Sequence, residues 1–366
     1  MAQTRYSDLP NRARNLATYF HVEHNFRVEQ QIAGNLICTR YDVQGYIKDQ
    51  VVVKHAVHDF RDEDTAKELI TLRALWGCEH IVRLLSIVDS EDNADLTRPM
   101  RRGRTHPRPP LPWNLRILRG EYPMLLRFPF FVIEHLARGT VEDLIKGRQE
   151  WRISEPLLWC FFLCLIRGCL GMAYPPHELT ETDLLPTWRE QPPLNMGQQY
   201  PAAYRMPSRW VHGDLHIGNV MFGSLGDRAQ PSCHPGMIDF GFAEEFGSSA
   251  LWSVAKNIRD VGGIMEQLAL MQETEIAGDE DLPRYAISLS PNPAHNFETF
   301  ATPEFRDLNR LSLDFRKLVS WCLAVEWEQR PDLALVFGIC ETSVRNIQNS
   351  QVLAAECNVL FDYARD

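Results

Sequence analysis

The chain has 366 residues, 45% hydrophobic and 23% charged, with a formal net charge of −10. That length allows a large core in two lobes or domains, and the excess of acid argues against a general nucleic-acid binder. Nine cysteines without a Cys-x-x-Cys pair, and a polar N-terminus without an apolar h-region, predict an intracellular, cytoplasmic setting with reduced thiols.

Residues 26 to 54 alternate as strands do, punctuated by Gly34-Asn35 and Gly45 as turns. The last strand ends "VVVK", at Lys54. "DFRDEDTAKELITLRALW" reads as a helix with Ala66, Leu69, Ile70 and Arg73 on one face and acids at its N-terminus. "HIVRLLSIVDS" and "FPFFVIEHL" are strand candidates. Between them runs a Pro-rich stretch with seven Arg from Arg98 to Arg119 and no acid from Leu96 to Gly120, which reads as a surface insertion or a basic docking patch.

The longest apolar run, residues 157 to 173, contains Arg167 and is short for a membrane span, so it predicts a buried core helix. Its Cys160, Cys164 and Cys169 fit core residues better than metal ligands. A second Pro-rich insertion, Tyr174 to Ser208, follows. The chain beyond about Leu251 is mainly helical in pattern. Strands with one helix, then a link, then helices suggest two unequal lobes with a ligand cleft between them.

The chemistry concentrates in "RWVHGDLHIGNVMFG" and "GMIDFGFAEEF". Asp239 and Asn219 are hard oxygen ligands suited to magnesium, which takes one or two carboxylates plus phosphates. Asp214, five residues before Asn219, can orient a hydroxyl and accept its proton. Lys54 is a point charge for phosphate, and a helix acid could hold it. Together these form a phosphoryl-transfer set, in which positioning and electrostatics supply most of the catalysis.

Order and spacing resemble the protein kinase superfamily over roughly residues 27 to 345. The resemblance implies an α+β, bilobal protein kinase-like fold. Its N-lobe would hold an antiparallel sheet plus one helix, and its C-lobe would be mainly helical. The implied division is an N-terminal extension 1–25, an N-lobe and hinge 26–138 with an insertion 93–123, a C-lobe 139–350 with an insertion 174–208, and a tail 351–366. It makes Lys54 the strand lysine and Glu68 its helix partner, although Glu68 could also close a capping box with Thr65. Asp214 becomes the catalytic base, His216 a further catalytic-loop residue, and Asn219 and Asp239 the magnesium ligands. Ile133 would be the gatekeeper, with Glu134 C=O and Leu136 N–H at the adenine edge and Val52 and Met221 on its two faces. Gly34 would serve the phosphate lid. His212, Asp260 and Arg330 would be structural, Asp260 tying down the catalytic-loop backbone.

Four departures qualify the resemblance. The lid offers Gly34 alone in place of three glycines. Gly213 stands where the family has an Arg that reads a phosphorylated loop. His216 replaces a Lys, and "HGDLHxGN" looks like the loop of aminoglycoside and choline phosphotransferases. Only 21 positions separate Asp239 from Asp260, with no A-P-E platform for peptide. Short proteins combining these traits resemble a kinase-like family expanded in filamentous fungi. The expected function is an ATP- and Mg-dependent phosphotransferase acting on a hydroxyl, with protein Ser/Thr favoured by the overall resemblance. A small-molecule kinase and a nucleotide-binding pseudokinase scaffold are the alternatives. The implied partners are a nucleotide and a protein or small-molecule acceptor, with no membrane and no nucleic acid.

Overall fold

The computed structural model describes residues 14, 16–18, 20–21, 25–32, 35–55, 63–88, 130–148, 150–175, 207–223, 234–245, 249–273, 285–288, 296–347, 353, 355–356 and 359. The Arg-rich insertion, Gly34, nearly all of 174–208 and most of the two ends lie outside these residues.

Five strands form one antiparallel sheet in the order β1-β2-β3-β5-β4. They are β1 (Phe26–Ile32), β2 (Asn35–Tyr41), β3 (Ile47–His55), β4 (Leu84–Val88) and β5 (Phe130–Glu134). Period-2 alternation sorts β3 between two cores. Val51 and Val53 join Phe26, Val28, Leu36 and Cys38 on one face. Val52 points the other way, towards the larger cluster that holds Ile133 and Leu72. Lys54 shares the side of Val52, and the register Lys54↔Phe131 fixes its height on the sheet.

Helix α1 (Glu63–Ala74) packs against the 3-10 turn Phe240–Phe242. Its buried face is not the one expected. Glu68, Thr71 and Leu72 are buried, whereas Ile70 is 60% exposed. The helix also begins two residues before Thr65, which removes Thr65 as its N-cap. The reason is tertiary: the helix is turned so that Glu68 faces the sheet.

Helix α2 (Val141–Gly147) opens on a capping box between Thr140 and Asp143. Helix α3 (Glu155–Ala173) has the length and apolarity of a membrane span, but 83% of its apolar window is buried inside the protein. It packs on β8 (His234–Met237), α4 (Ala250–Leu270) and α7 (Leu333–Arg345), as a core helix does. Short helix α5 (Pro303–Arg306) and α6 (Leu313–Cys322) complete this region. Three two-stranded pairs accompany the helices: β6 (Trp210–Val211) with β9 (Glu244–Glu245), β7 (Val220–Gly223) with β8, and β10 (Tyr285–Ser288) with β11 (Asn296–Thr299). The last pair interrupts a stretch that reads as helical in sequence. The architecture is thus a mixed α+β one.

Candidate active site

The segment after β6 is held from below. Asn257, buried on α4, accepts the His212 N–H at 3.1 Å and donates to Trp210 C=O at 3.0 Å. His212 is buried, 4.5 Å from the Phe240 ring between centroids. Its Nε2 lies 2.9 Å from Ile238 C=O, an acceptor only, so Nε2 carries the proton. Burial pushes the imidazole pKa down to about 4, so the ring is neutral and acts as a prop.

Gly213 is required by geometry. Its φ is +82°, and a Cβ there would come within 2.2 Å of the Phe242 carbonyl oxygen. An L side chain would meet both strain and backbone. The Arg of the kinase pattern has no room in this arrangement.

The Asp214 side chain is 45% exposed. Asn219 Nδ2 donates to Asp214 C=O at 2.8 Å and to Asp214 Oδ2 at 3.1 Å. That holds one carboxylate oxygen and leaves the Asn219 amide oxygen available. His216 Nδ1 accepts the Gly218 N–H at 3.1 Å, which leaves the proton on Nε2. Nε2 is 3.6 Å from Asp214 Oδ2, beyond hydrogen-bond range but on the same side of the loop.

Asp239 sits at the end of β8 in the left-handed region, φ 60°, which Asp tolerates better than most residues. The pairing Val220↔Met237 brings Asn219 and Asp239 to the same end of the β7–β8 ribbon, and Ile238 N–H donates to Asn219 C=O at 3.0 Å. Lys54 Nζ reaches Glu68 Oε1 at 2.6 Å and Asp239 Oδ1 at 3.8 Å. Burial raises the Glu68 pKa, opposed by Lys54; Asp239 adds to the rise, and the Phe240 N–H works against it. The structure therefore joins β3, α1 and the turn after β8 through one ammonium.

In the β3–β5 ladder, Ile133 is buried opposite Val52. Met221 is half-buried, paired with Gly236 and bridged to Thr140. Among the described residues the Leu136 N–H has no backbone acceptor. Glu134 directs its carboxylate to Arg83. Gly34 lies outside the described residues.

Asp260, expected to tie down the loop backbone, is seen with a partner on its own helix. Its carboxylate takes both hydrogen bonds from Lys256 Nζ at 2.6 Å, one turn back on α4. Asn257, three residues earlier on the same face, does the tying down. Arg330 donates to Ala324, Ala255 and Val325 C=O at 3.0, 3.1 and 3.3 Å, joining the end of α6 to α4.

The donor set suits magnesium. Among the described residues no cluster of three or more His, Cys, Asp or Glu forms a metal cage. Two hard oxygen groups, Asn219 and Asp239, completed by phosphates and water, are what magnesium uses. On helix α3, burial pushes the Cys160 thiol up to about 12, and Cys164 and Cys169 are buried in the core.

The model of the phosphotransferase enzyme family, APH, matches residues 173–244, about a fifth of the chain. That segment runs from the end of α3 through the Asp214–Asn219 loop and Asp239 to β9. Over these residues the chain is similar to this family, which is grouped with the protein kinase-like superfamily and includes aminoglycoside and choline phosphotransferases. No curated protein matches the chain. The likeness of this segment is thus to a family of phosphotransferases.

Proposed function

We propose that the protein is an ATP- and magnesium-dependent phosphotransferase of two-lobed, kinase-like build, moving the γ-phosphoryl group to a hydroxyl of a small-molecule acceptor. The observation that carries it is Lys54 Nζ, held at 2.6 Å from Glu68 and 3.8 Å from Asp239, beside the Asp214–Asn219 pair. Lys54 offers its charge to the α- and β-phosphates. Glu134 C=O and Leu136 N–H face the base, with Val52 and Met221 on its two sides.

Asn219 and Asp239 would hold magnesium, which when bound neutralises phosphate charge. Asp214 orients the acceptor hydroxyl and takes its proton as the oxygen bonds the γ-phosphorus and the bond to the β–γ bridging oxygen breaks, releasing ADP. Asn219 steadies one Asp214 oxygen and leaves the other for that hydroxyl. His216 presents a single N–H to the moving phosphoryl group, where a Lys would present a full charge.

The small acceptor is favoured by the brevity of the segment after Asp239. Phe240–Phe242 are tucked into a 3-10 turn, Glu244–Glu245 pair with β6, and α4 starts at Ala250. Little chain is left to build a peptide shelf. A protein Ser/Thr acceptor is the second reading, supported by the hinge-like segment and Arg330. The free cysteines support an intracellular setting.

Transfer from labelled ATP to a metabolite mixture and to a protein extract distinguishes the two. Label in metabolites that vanishes with Asp214→Asn is expected. Label confined to proteins would overturn the small-molecule reading. Transfer that survives Asp214→Asn would remove Asp214 as base.

A further inference from the structure

The hinge-like segment is gripped on both sides by side chains outside the reacting set. Glu134 and Arg83 exchange three hydrogen bonds. Arg83 N–H and Nε each donate to the Glu134 carboxylate at 2.8 Å, and Glu134 N–H returns to Arg83 C=O at 3.0 Å. His135, the next residue, meets Gln50 Oε1 on β3 through Nδ1 at 3.2 Å. Gln50 in turn donates from Nε2 to Oγ1 of buried Thr39 on β2 at 3.0 Å. Because the Gln50 amide nitrogen is committed to Thr39, its oxygen faces the ring, and Nδ1 must be the protonated nitrogen. The register Thr39↔Gln50 makes this a straight cross-strand relay from β2 to the hinge.

We propose that Gln50, through His135, is a positioning residue for the nucleotide base, with the Arg83–Glu134 clamp securing the adjoining residue. The two grips fix the peptide units that carry Glu134 C=O and Leu136 N–H, so that one acceptor and one donor meet a purine edge in constant register. A base recognised this way presents a donor and an acceptor in the order adenine does, and guanine does not. The proposal rests on the reading of those two groups as the base-binding edge. Loss of the relay loosens the edge and leaves Lys54, Asp214 and Asp239 untouched, so it acts on nucleotide affinity and base preference and not on the chemical step.

The test is calorimetric binding of ATP·Mg and GTP·Mg, with KM and kcat, in wild type, Gln50→Leu and Gln50→Glu, each checked for an unchanged melting temperature. Gln50→Leu is expected to weaken ATP binding and raise its KM about tenfold, the worth of one such bond, with kcat held within about twofold and a smaller ATP-over-GTP preference. Gln50→Glu keeps an acceptor for both His135 Nδ1–H and the Thr39 hydroxyl, and should restore ATP affinity to within about twofold. Wild-type ATP affinity in Gln50→Leu, or a folded Gln50→Glu as weak as the Leu variant, overturns the proposal and leaves the base-binding reading standing. Wild type that binds no ATP overturns both.

Discussion

At the scale of single residues, Gly213 and His212 are neighbours with opposite demands. Gly213 needs the absence of a side chain, since its left-handed backbone lies under the Phe242 carbonyl. Gly213→Ala is expected to cost about 2 kcal/mol or more, from left-handed strain plus the displaced contact, and urea unfolding measures it. His212 is held neutral. Its pKa is lowered by burial from 6.5 to about 4, so between those values the unfolded chain binds the extra proton. The stability it contributes is present above pH 6.5 and lost as pH falls towards 4, a total of roughly 3 kcal/mol. His212→Gln should flatten that part of the pH dependence of the urea midpoint; an unchanged slope would show that the ring titrates normally. Glu68 takes the shorter contact to Lys54, 2.6 Å against 3.8 Å for Asp239. In Glu68→Ala the ammonium is free to close its 3.8 Å gap to Asp239 and compete with magnesium. The expected result is a magnesium requirement raised about tenfold, read from activity against magnesium concentration.

At the scale of elements, the sequence pattern announced the strands of the five-stranded sheet, α1 and α3, because alternation, β-branching and a long apolar run are local signals, whereas β10 and β11 fell in a stretch that reads as helical. It also brought Lys54 and Glu68 to adjacent elements. It could not choose the face of α1. Leu69 and Ile70 look like core in a linear pattern, but the demand of Glu68 for Lys54 turns the helix and leaves Ile70 in solvent. Nor did it point to Asn257, since the resemblance named Asp260 for the loop. Three residues apart on one helix, they share a face, and only the seating of α4 under β6 decides which meets the loop. Asn257 leaves a testable mark. Asn257→Ala would strand a buried N–H at His212 and a carbonyl at Trp210, at about 2–4 kcal/mol for the two groups. A fall in kcat should accompany the lost stability, since the same bonds carry the Asp214 loop. The Gln50 relay and the Glu134–Arg83 clamp were likewise invisible, since each joins residues that only the sheet brings together.

At the scale of the whole molecule, the site is a meeting of parts that the sheet and the helices bring separately. The five-stranded sheet supplies Lys54, Ile133 and the hinge-like residues; α1 supplies Glu68; the β7–β8 ribbon supplies Asn219 and Asp239; and the segment seated on α4 supplies Asp214 and His216. Helix α3 puts its apolar length into the core that supports that ribbon. Gly213 and the short run from Asp239 to α4 are where the proposed function departs from a loop-phosphorylated protein kinase, and Lys54, Asp214, Asn219 and Asp239, the groups proposed for the transfer, all lie within the described residues.

The measurement that tests this account most directly is a titration of the protein with ATP at varied magnesium, in wild type and Asp239→Asn. The account predicts binding that strengthens with magnesium, and a loss of at least about tenfold in Asp239→Asn from the removed carboxylate. Absence of ATP binding in wild type, or binding indifferent both to magnesium and to Asp239→Asn, would contradict it.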